Sequence, residues 1–197
     1  MQCLEMVSDF ILRRYVCGLS SRGYSRWFVF ANRELGDQPV EGLGRFFLDN
    51  KEFPECERFR QSFVHFNLYQ SDYGRYVLEM LERAQNHKEP ADLSEAQIDH
   101  VMPQILSDEW EADLVSEFEQ IHLEWLHTSG DLTLSAYNPE LYNHPFRIKR
   151  EEYDRSNITI TRQLAGCPSW GEDQQRSAPP VADNDYRQFD DNASQQR

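Results

Sequence analysis

An acidic residue and a histidine stand side by side in IDHVMPQ (98–104), and this pair is best suited to do chemistry. A histidine can take a proton from water, while a carboxylate and an amide oxygen can hold a hard divalent ion. Asn143, in the later segment YNHPF, can supply that amide. Together Asp99, His100 and Asn143 suit the hydrolysis of a phosphodiester with Mg²⁺ or Mn²⁺, because these ions prefer oxygen ligands. Taken alone, most such histidines are structural or solvated.

The elements that must position these residues follow in the order strand, helix, strand, helix. Ile98 and Val101 suit a strand that Pro103 ends. Ser107 can then cap an acidic helix. After a glycine turn, the leucines of LTLS (132–135) alternate with polar residues as in a half-buried strand. The segment NHPF starts the next helix, because proline is tolerated at the first helical position.

Away from this region, residues 1–90 have mostly helical spacing, clearest in DYGRYVLEMLERAQ, with GDQPVEGLG predicted as a loop. The polar, proline-containing segment 86–92 is the best domain boundary. We therefore predict an α+β fold that is mostly α: a helical segment over 1–90 and a ββα core over 91–167. NITITRQLA could be strand or helix, and 168–197 is polar enough to be a disordered tail.

The net charge of −14 is unevenly distributed along the chain. Acidic residues concentrate in 108–124, which has no Lys or Arg. Basic residues gather in RIKREEYDR (147–155) and at five upstream positions: Arg13, Arg14, Arg22, Arg26 and Arg33. Since phosphate contacts need Lys and Arg, the net charge argues against a general polyanion binder, although local basic surfaces remain compatible with DNA.

The four cysteines lie far apart and form no CxxC pair. The sequence therefore favours neither a cysteine-based zinc site nor a secreted disulfide scaffold. No apolar run has membrane-spanning length, and the first residues lack the basic and apolar regions of a signal peptide. We expect a reduced, cytoplasmic protein without a membrane partner.

Longer segments resemble a known family. IDHVMPQ followed by LHTSGDLTLSAYNPELYNHPFRIKREEYDRS is similar to the C-terminal domain of GmrSD-type modification-dependent restriction endonucleases, a branch of the HNH (His-Me finger) nucleases. Upstream, ILRRYVCGLSSRGYSRWF and GRYVLEMLERAQNHKEPADLSEAQ are similar to the helical region before that domain. The resemblance covers about residues 5–165. It implies an HNH-like ββα core and a metal-dependent DNA endonuclease of a modification-dependent restriction or phage-defence system.

The family pattern assigns roles to individual residues. The resemblance implies that His100 is the general base and that Asp99 and Asn143 are ligands of Mg²⁺ or Mn²⁺. It implies that Asn138 belongs to the catalytic set by supporting the loop between them. Three further residues are assigned to substrate binding: Gln104, Arg147 and Lys149, the last near a phosphate.

Both asparagines also have a purely structural explanation. Asn138 and Asn143 suit turns and helix caps without any catalysis. In that case Asn143 or His144 caps the helix that has Pro145 at its first position. His127, which precedes a turn, is assigned at most a supporting role.

Asp131 stands where the family has the asparagine of its GNL segment, which positions the catalytic histidine. An aspartate can accept from an imidazole N–H and raise its basicity, so Asp131 joins the predicted catalytic residues. The chain also begins where the family's nucleotide-dependent domain would have ended. We therefore expect the C-terminal half of a longer or split enzyme, partnered by a separate NTPase or sensor subunit. The alternative is a catalytically impaired remnant or partner-binding subunit.

Overall fold

The computed structural model describes the following residues: 2–50, 53–114, 118–137, 141–171 and 173–174. Within them the fold is mixed α+β and mostly helical, as predicted, with a two-stranded sheet. Two compact units divide between Phe63 and Val64. None of the helices in these ranges is long and apolar enough to cross a membrane.

The first unit is helical. Its described residues form four helices, the last ending at the boundary: α1 (Gln2–Val16), α2 (Tyr24–Glu34), α3 (Pro39–Asn50) and α4 (Cys56–Val64). A left-handed Gly18 with φ of +68° ends α1, where Leu19 N donates to Arg14 O over 2.8 Å. The rings of Phe10 and Phe47 stack with centroids 3.9 Å apart. They belong to a core of buried residues: Phe10, Ala31, Leu43, Phe46 and Phe47.

Helix α3 covers most of the segment GDQPVEGLG, which the sequence predicts as a loop, so this prediction was wrong. Pro39 is the first helical residue, where the missing N–H of proline does no harm. The buried side chains Leu43, Phe46 and Phe47 recur at helical spacing. Burying them outweighs the low helix propensity of Gly42 and Gly44.

The second unit contains the sheet. Its described residues form these elements: α5 (Gly74–Ala84), β1 (Gln97–His100), α6 (Asp108–Asp113), α7 (Phe118–Trp125), β2 (Leu132–Ser135), α8 (Phe146–Asp154) and α9 (Thr159–Leu164). The two predicted strands are confirmed, and they pair antiparallel with Asp99 opposite Thr133 and His100 opposite Leu132. The prediction that β2 is half-buried was wrong, because its polar residues are buried as well as its leucines. The segment NITITRQLA, for which the sequence left strand or helix open, is helical from Thr159.

Two helices fix the sheet. Helix α5 packs on both strands, and α9 packs on β2 and α8. The buried carboxylate of Glu82 in α5 accepts the backbone N–H groups of Thr159 and Ile160, each over 2.9 Å. Glu82 thus satisfies two of the first N–H groups of α9, as a capping residue does within one helix. The Thr161 hydroxyl donates to the Leu134 carbonyl and so ties α9 to β2.

The acidic segment after β1 forms two helices in the described residues, α6 and α7. The predicted cap is confirmed, because the Ser107 hydroxyl accepts from Trp110 N. Trp110 belongs to the core of the second unit, whose buried members are Val101, Met102, Trp110, Leu114, Trp125, Leu141, Phe146, Tyr153, Leu164, Ala165 and Trp170. Trp170 lies within the segment predicted to be a disordered tail, so the core extends at least that far. Residues from 175 onward lie outside the described part of the chain.

Candidate active site around His100

His100 is the last residue of β1, and its ring contacts Tyr69 and His127; these three residues are called the His100 cluster below. Nε2 of His100 lies 3.1 Å from Nδ1 of His127, so one nitrogen donates a hydrogen bond to the other. The Tyr69 ring meets His100 edge-on at 4.3 Å and stacks on His127 at 5.3 Å between centroids. The carbonyl of His127 accepts from the backbone N–H groups of Leu68 and Tyr69. The cluster is therefore held by backbone as well as ring contacts.

Both histidines of the cluster are neutral at physiological pH. Burial, together with the charges of the neighbouring His127, Lys149 and His122, lowers the pKa of His100 to about 3. Burial also lowers the pKa of His127. Since Nε2 of His100 is engaged, Nδ1 is the ring nitrogen left for a second partner. A negative group placed near His100 would raise its pKa again.

The side chain of Asp99 lies on the opposite face of β1, because successive strand residues alternate. Its Oδ2 accepts from the Tyr153 hydroxyl over 2.7 Å, and its Oδ1 lies 3.5 Å from Lys149 Nζ. The Lys149 ammonium also donates to the carbonyl of His100. Lys149 and Tyr153 are one helical turn apart on α8, so this helix anchors the end of β1 through both side chains.

Burial shifts the pKa values of Asp99, Lys149 and Tyr153. It raises the pKa of the Asp99 carboxyl, while the Lys149 cation and the Tyr153 hydroxyl act in the opposite direction. It lowers the pKa of Lys149, an effect that the carboxylates of Asp99 and Asp131 oppose. It raises the pKa of Tyr153 well above its usual value, which keeps Tyr153 a donor. A buried ion pair thus lies directly beneath the backbone of His100.

Asp131 is fully buried at the turn before β2. Its Oδ1 accepts from Met102 N over 2.9 Å and from Trp170 Nε1 over 3.1 Å. The sequence predicts that Asp131 orients the His100 ring, but the structure does not join them, and His127 makes that contact instead. Burial raises the pKa of Asp131 well above its usual value, and its Oδ2 accepts no hydrogen bond from the described residues. Asp131 fixes the chain that follows β1.

The predicted substrate-binding residues lie in three different settings. Gln104 is exposed, with Nε2 3.5 Å from the Tyr69 hydroxyl, and so lies beside the His100 cluster. Arg147 is exposed on α8, where its guanidinium is 4.0 Å from a Glu109 carboxylate oxygen. Lys149 is 0% exposed, so in this arrangement it supports β1 and does not reach a phosphate.

The structure gives less information on Asn143 and Asn138, the two asparagines predicted to belong to the site. Asn143 lies partly exposed in the turn before α8. The structure begins α8 at Phe146, with Pro145 as the capping position and no side-chain cap, so the predicted capping by Asn143 or His144 was wrong. Tyr142, directly before Asn143, has a φ of +25°. Asn138 lies outside the described residues.

A divalent ion does not fit the described residues as they are arranged. Both oxygens of Asp99 face donors, Tyr153 and the cationic Lys149, and the ammonium repels a second cation. Across the described ranges, no group of three or more His, Cys, Asp or Glu side chains could hold a metal ion. The roles of Asp99 and Asn143 as metal ligands stay predictions.

Several residues that shape the site were not predicted from the sequence. Tyr153 follows Lys149 at a spacing of one helical turn, so it could have been found on the same face of the helix. Tyr69 and Trp170 reach His127 and Asp131 across long sequence separations, and no local pattern marks those contacts.

The comparison with protein families gives one match. The family described as GmrSD restriction endonucleases, C-terminal domain, matches residues 53–178, which include the His100 cluster, Asp99, Asp131 and Lys149. Comparisons with curated proteins and with solved structures gave no match. Because the matched segment covers more than half of the chain, this protein belongs to the family of GmrSD restriction endonuclease C-terminal domains.

Proposed function

We propose that this chain is a DNA endonuclease module in which His100 activates water for hydrolysis of a phosphodiester bond. Family membership supports a role related to restriction endonucleases. The contact that carries the proposal is the hydrogen bond between His100 Nε2 and His127 Nδ1. This contact fixes the ring of a neutral histidine, and in the tautomer in which His100 Nε2 is the donor, Nδ1 of His100 keeps the lone pair that a general base requires.

In the proposed reaction, His100 Nδ1 takes a proton from water as the water oxygen attacks phosphorus. The bond between phosphorus and the leaving oxygen then breaks. The negative phosphate raises the pKa of His100 from its low value in the free protein and so makes the ring a better base. The ion pair of Lys149 and Asp99 holds the His100 backbone, and therefore its ring, against displacement.

The biological setting forms part of the same proposal. The ββα arrangement of β1, β2 and α8 is proposed to be an HNH-like core that acts in modification-dependent restriction or phage defence in the cytoplasm. DNA is the proposed substrate, and a separately encoded NTPase or sensor subunit is the proposed partner. A requirement for Mg²⁺ or Mn²⁺ is included as a prediction, and a titration of these ions tests it.

The test is nicking of supercoiled plasmid by wild type, His100→Ala and a matched control, His65→Ala. The control removes an exposed histidine whose side chain is 56% exposed and which lies outside the cluster. We expect cleavage by wild type and by the control but not by His100→Ala, on modified DNA and with one of the two ions. Equal nicking by all three proteins would refute the proposal.

The alternative function is a catalytically impaired remnant or a subunit that only binds a partner. Two observations favour it: the pKa of His100 is about 3, and Lys149 already pairs with Asp99. This alternative predicts that the folded wild type cleaves none of the DNAs with any ion. It also predicts stable co-purification with the proposed NTPase or sensor subunit, unaffected by His100→Ala.

A further inference from the structure

The first unit contains a cationic segment that the proposed reaction does not use. Residues 10–33 include five arginines and no Asp or Glu, within a chain of net charge −14. Residues 64–185, which contain the candidate active site, carry nine Lys or Arg against 23 Asp or Glu. Residues 1–63 carry nine of each. The unit with the candidate site is therefore strongly acidic, whereas the charges of the first unit balance and its arginines are concentrated in one segment.

The five arginines of this segment divide into structural and exposed ones. Arg13 is 2% exposed and pairs with Asp9 over 2.9 Å, and Arg14 is 5% exposed with its head above the Phe10 ring. These two belong to the interior of the first unit. The others are exposed in the structure: Arg22, Arg26 and Arg33.

Two of the exposed arginines belong to a stripe along α2. Arg26, Val29, Phe30 and Arg33 are all exposed and recur at positions i, i+3, i+4 and i+7, so they share one face; they are called the α2 stripe below. The guanidinium carbons of Arg26 and Arg33 lie 5.4 and 5.5 Å from the centroid of the Phe30 ring. The ring thereby holds both cationic heads by cation–π contacts, two turns of helix apart.

We propose that the α2 stripe is a DNA-docking surface, with Arg26 and Arg33 contacting backbone phosphates and Arg22 adding charge one turn upstream. The charge complementarity requires a polyanion, and the choice of DNA rests on the proposed function. Arginines suit phosphate because their planar fork of donors matches its oxygens. Since Phe30 pre-orders both heads, less side-chain entropy is lost on binding. The first unit would then supply the affinity for DNA that the acidic second unit lacks.

The experiment is fluorescence anisotropy of the full chain with a labelled duplex in EDTA, from about 50 to 200 mM KCl. It compares wild type with Arg26→Gln/Arg33→Gln and with a control that loses equal charge elsewhere, Arg45→Gln/Lys88→Gln. Losing two phosphate contacts should reduce the slope of log affinity against log salt by about 2. The affinity at about 0.15 M salt should fall about 30-fold in the stripe variant, with little change in the control.

Circular dichroism first has to show that both variants keep the wild-type helix content, so that a change in affinity reports on contacts with DNA. Equal affinities of the stripe variant and the control overturn the proposal, as does wild-type binding that ignores salt. Because anisotropy measures binding and not cleavage, this result is independent of the proposed reaction. If the protein binds DNA through the α2 stripe but never cleaves it, the proposed function is refuted and the proposed docking surface is supported.

Discussion

Replacing Lys149 by methionine tests the buried ion pair that holds the end of β1. The substitution keeps the length of the side chain and removes its charge. The ammonium is 0% exposed, lies 3.5 Å from Asp99 Oδ1 and donates to the His100 carbonyl. In Lys149→Met, the buried Asp99 carboxylate would keep the hydrogen bond from the Tyr153 hydroxyl but lose its cationic partner.

The expected loss of unfolding free energy follows from the Asp99 charge that remains buried. Breaking a buried ion pair by removing one partner costs about 3–5 kcal/mol, because the other charge is left uncompensated. This is a large part of the 5–15 kcal/mol that is roughly typical of the free energy of unfolding of a domain. The double variant Asp99→Asn/Lys149→Met removes both charges of this pair, so it should recover roughly 2 kcal/mol relative to Lys149→Met.

The assay is urea unfolding followed by tryptophan fluorescence and circular dichroism, at pH 7 and pH 5. Without the Lys149 cation, the pKa of Asp99 in the folded state rises further above its ordinary value of 3.8. At a pH between the ordinary and the raised pKa, the folded state therefore binds more protons than the unfolded state. The loss of unfolding free energy in Lys149→Met relative to wild type therefore becomes smaller as the pH falls through this window. A loss below about 1 kcal/mol at pH 7, or a double variant less stable than Lys149→Met, would refute the reasoning.

Three further predictions concern the free energy of unfolding, measured in urea. Gly74→Ala should lower it by about 1–3 kcal/mol, because the new Cβ would lie 2.6 Å from a backbone carbonyl oxygen, whereas Gly171→Ala has room at 3.6 Å and should be near neutral. Trp170→Phe should lower it by about 1 kcal/mol through loss of the hydrogen bond to Asp131, and an unchanged midpoint would contradict that contact. His100, with a folded pKa of about 3 against an ordinary 6.5, takes up its proton first in the unfolded state. Wild-type stability should therefore fall from pH 6.5 towards pH 3 by up to about 1.4 kcal/mol per unit, more steeply than in His100→Gln.

Local patterns were sufficient to predict the strands and the order of elements around His100. Alternation identified β2, and Pro103 after the apolar residues of β1 indicated where that strand ends. The family pattern then singled out His100, which no local rule could do. His100 contacts residues that are distant from it in the sequence. From the sequence we therefore assigned His127 only a supporting role and assigned no role to Tyr69.

Charged residues were the hardest to interpret from sequence. The family resemblance assigned Lys149 to a phosphate, and an exposed position was expected because lysines are seldom fully buried without a partner. Its partner Asp99 was predicted as a metal ligand, and neither prediction anticipated that the two would pair. Similarly, the helical period of α5 did not predict that Glu82 would be buried, because the N–H groups it satisfies belong to a segment far along the chain. In both cases a partner that is distant in the sequence offsets the free-energy cost of burying the charge.

The most direct test of His100 as the general base separates catalysis from binding. It measures the single-turnover rate of DNA cleavage by wild type and His100→Ala, together with the affinity of each for the same DNA. We expect the rate to fall by about 10²–10⁴-fold in His100→Ala, because a general base contributes on this order, with an unchanged affinity. Equal cleavage rates for the two proteins at equal affinity would contradict the assignment of His100.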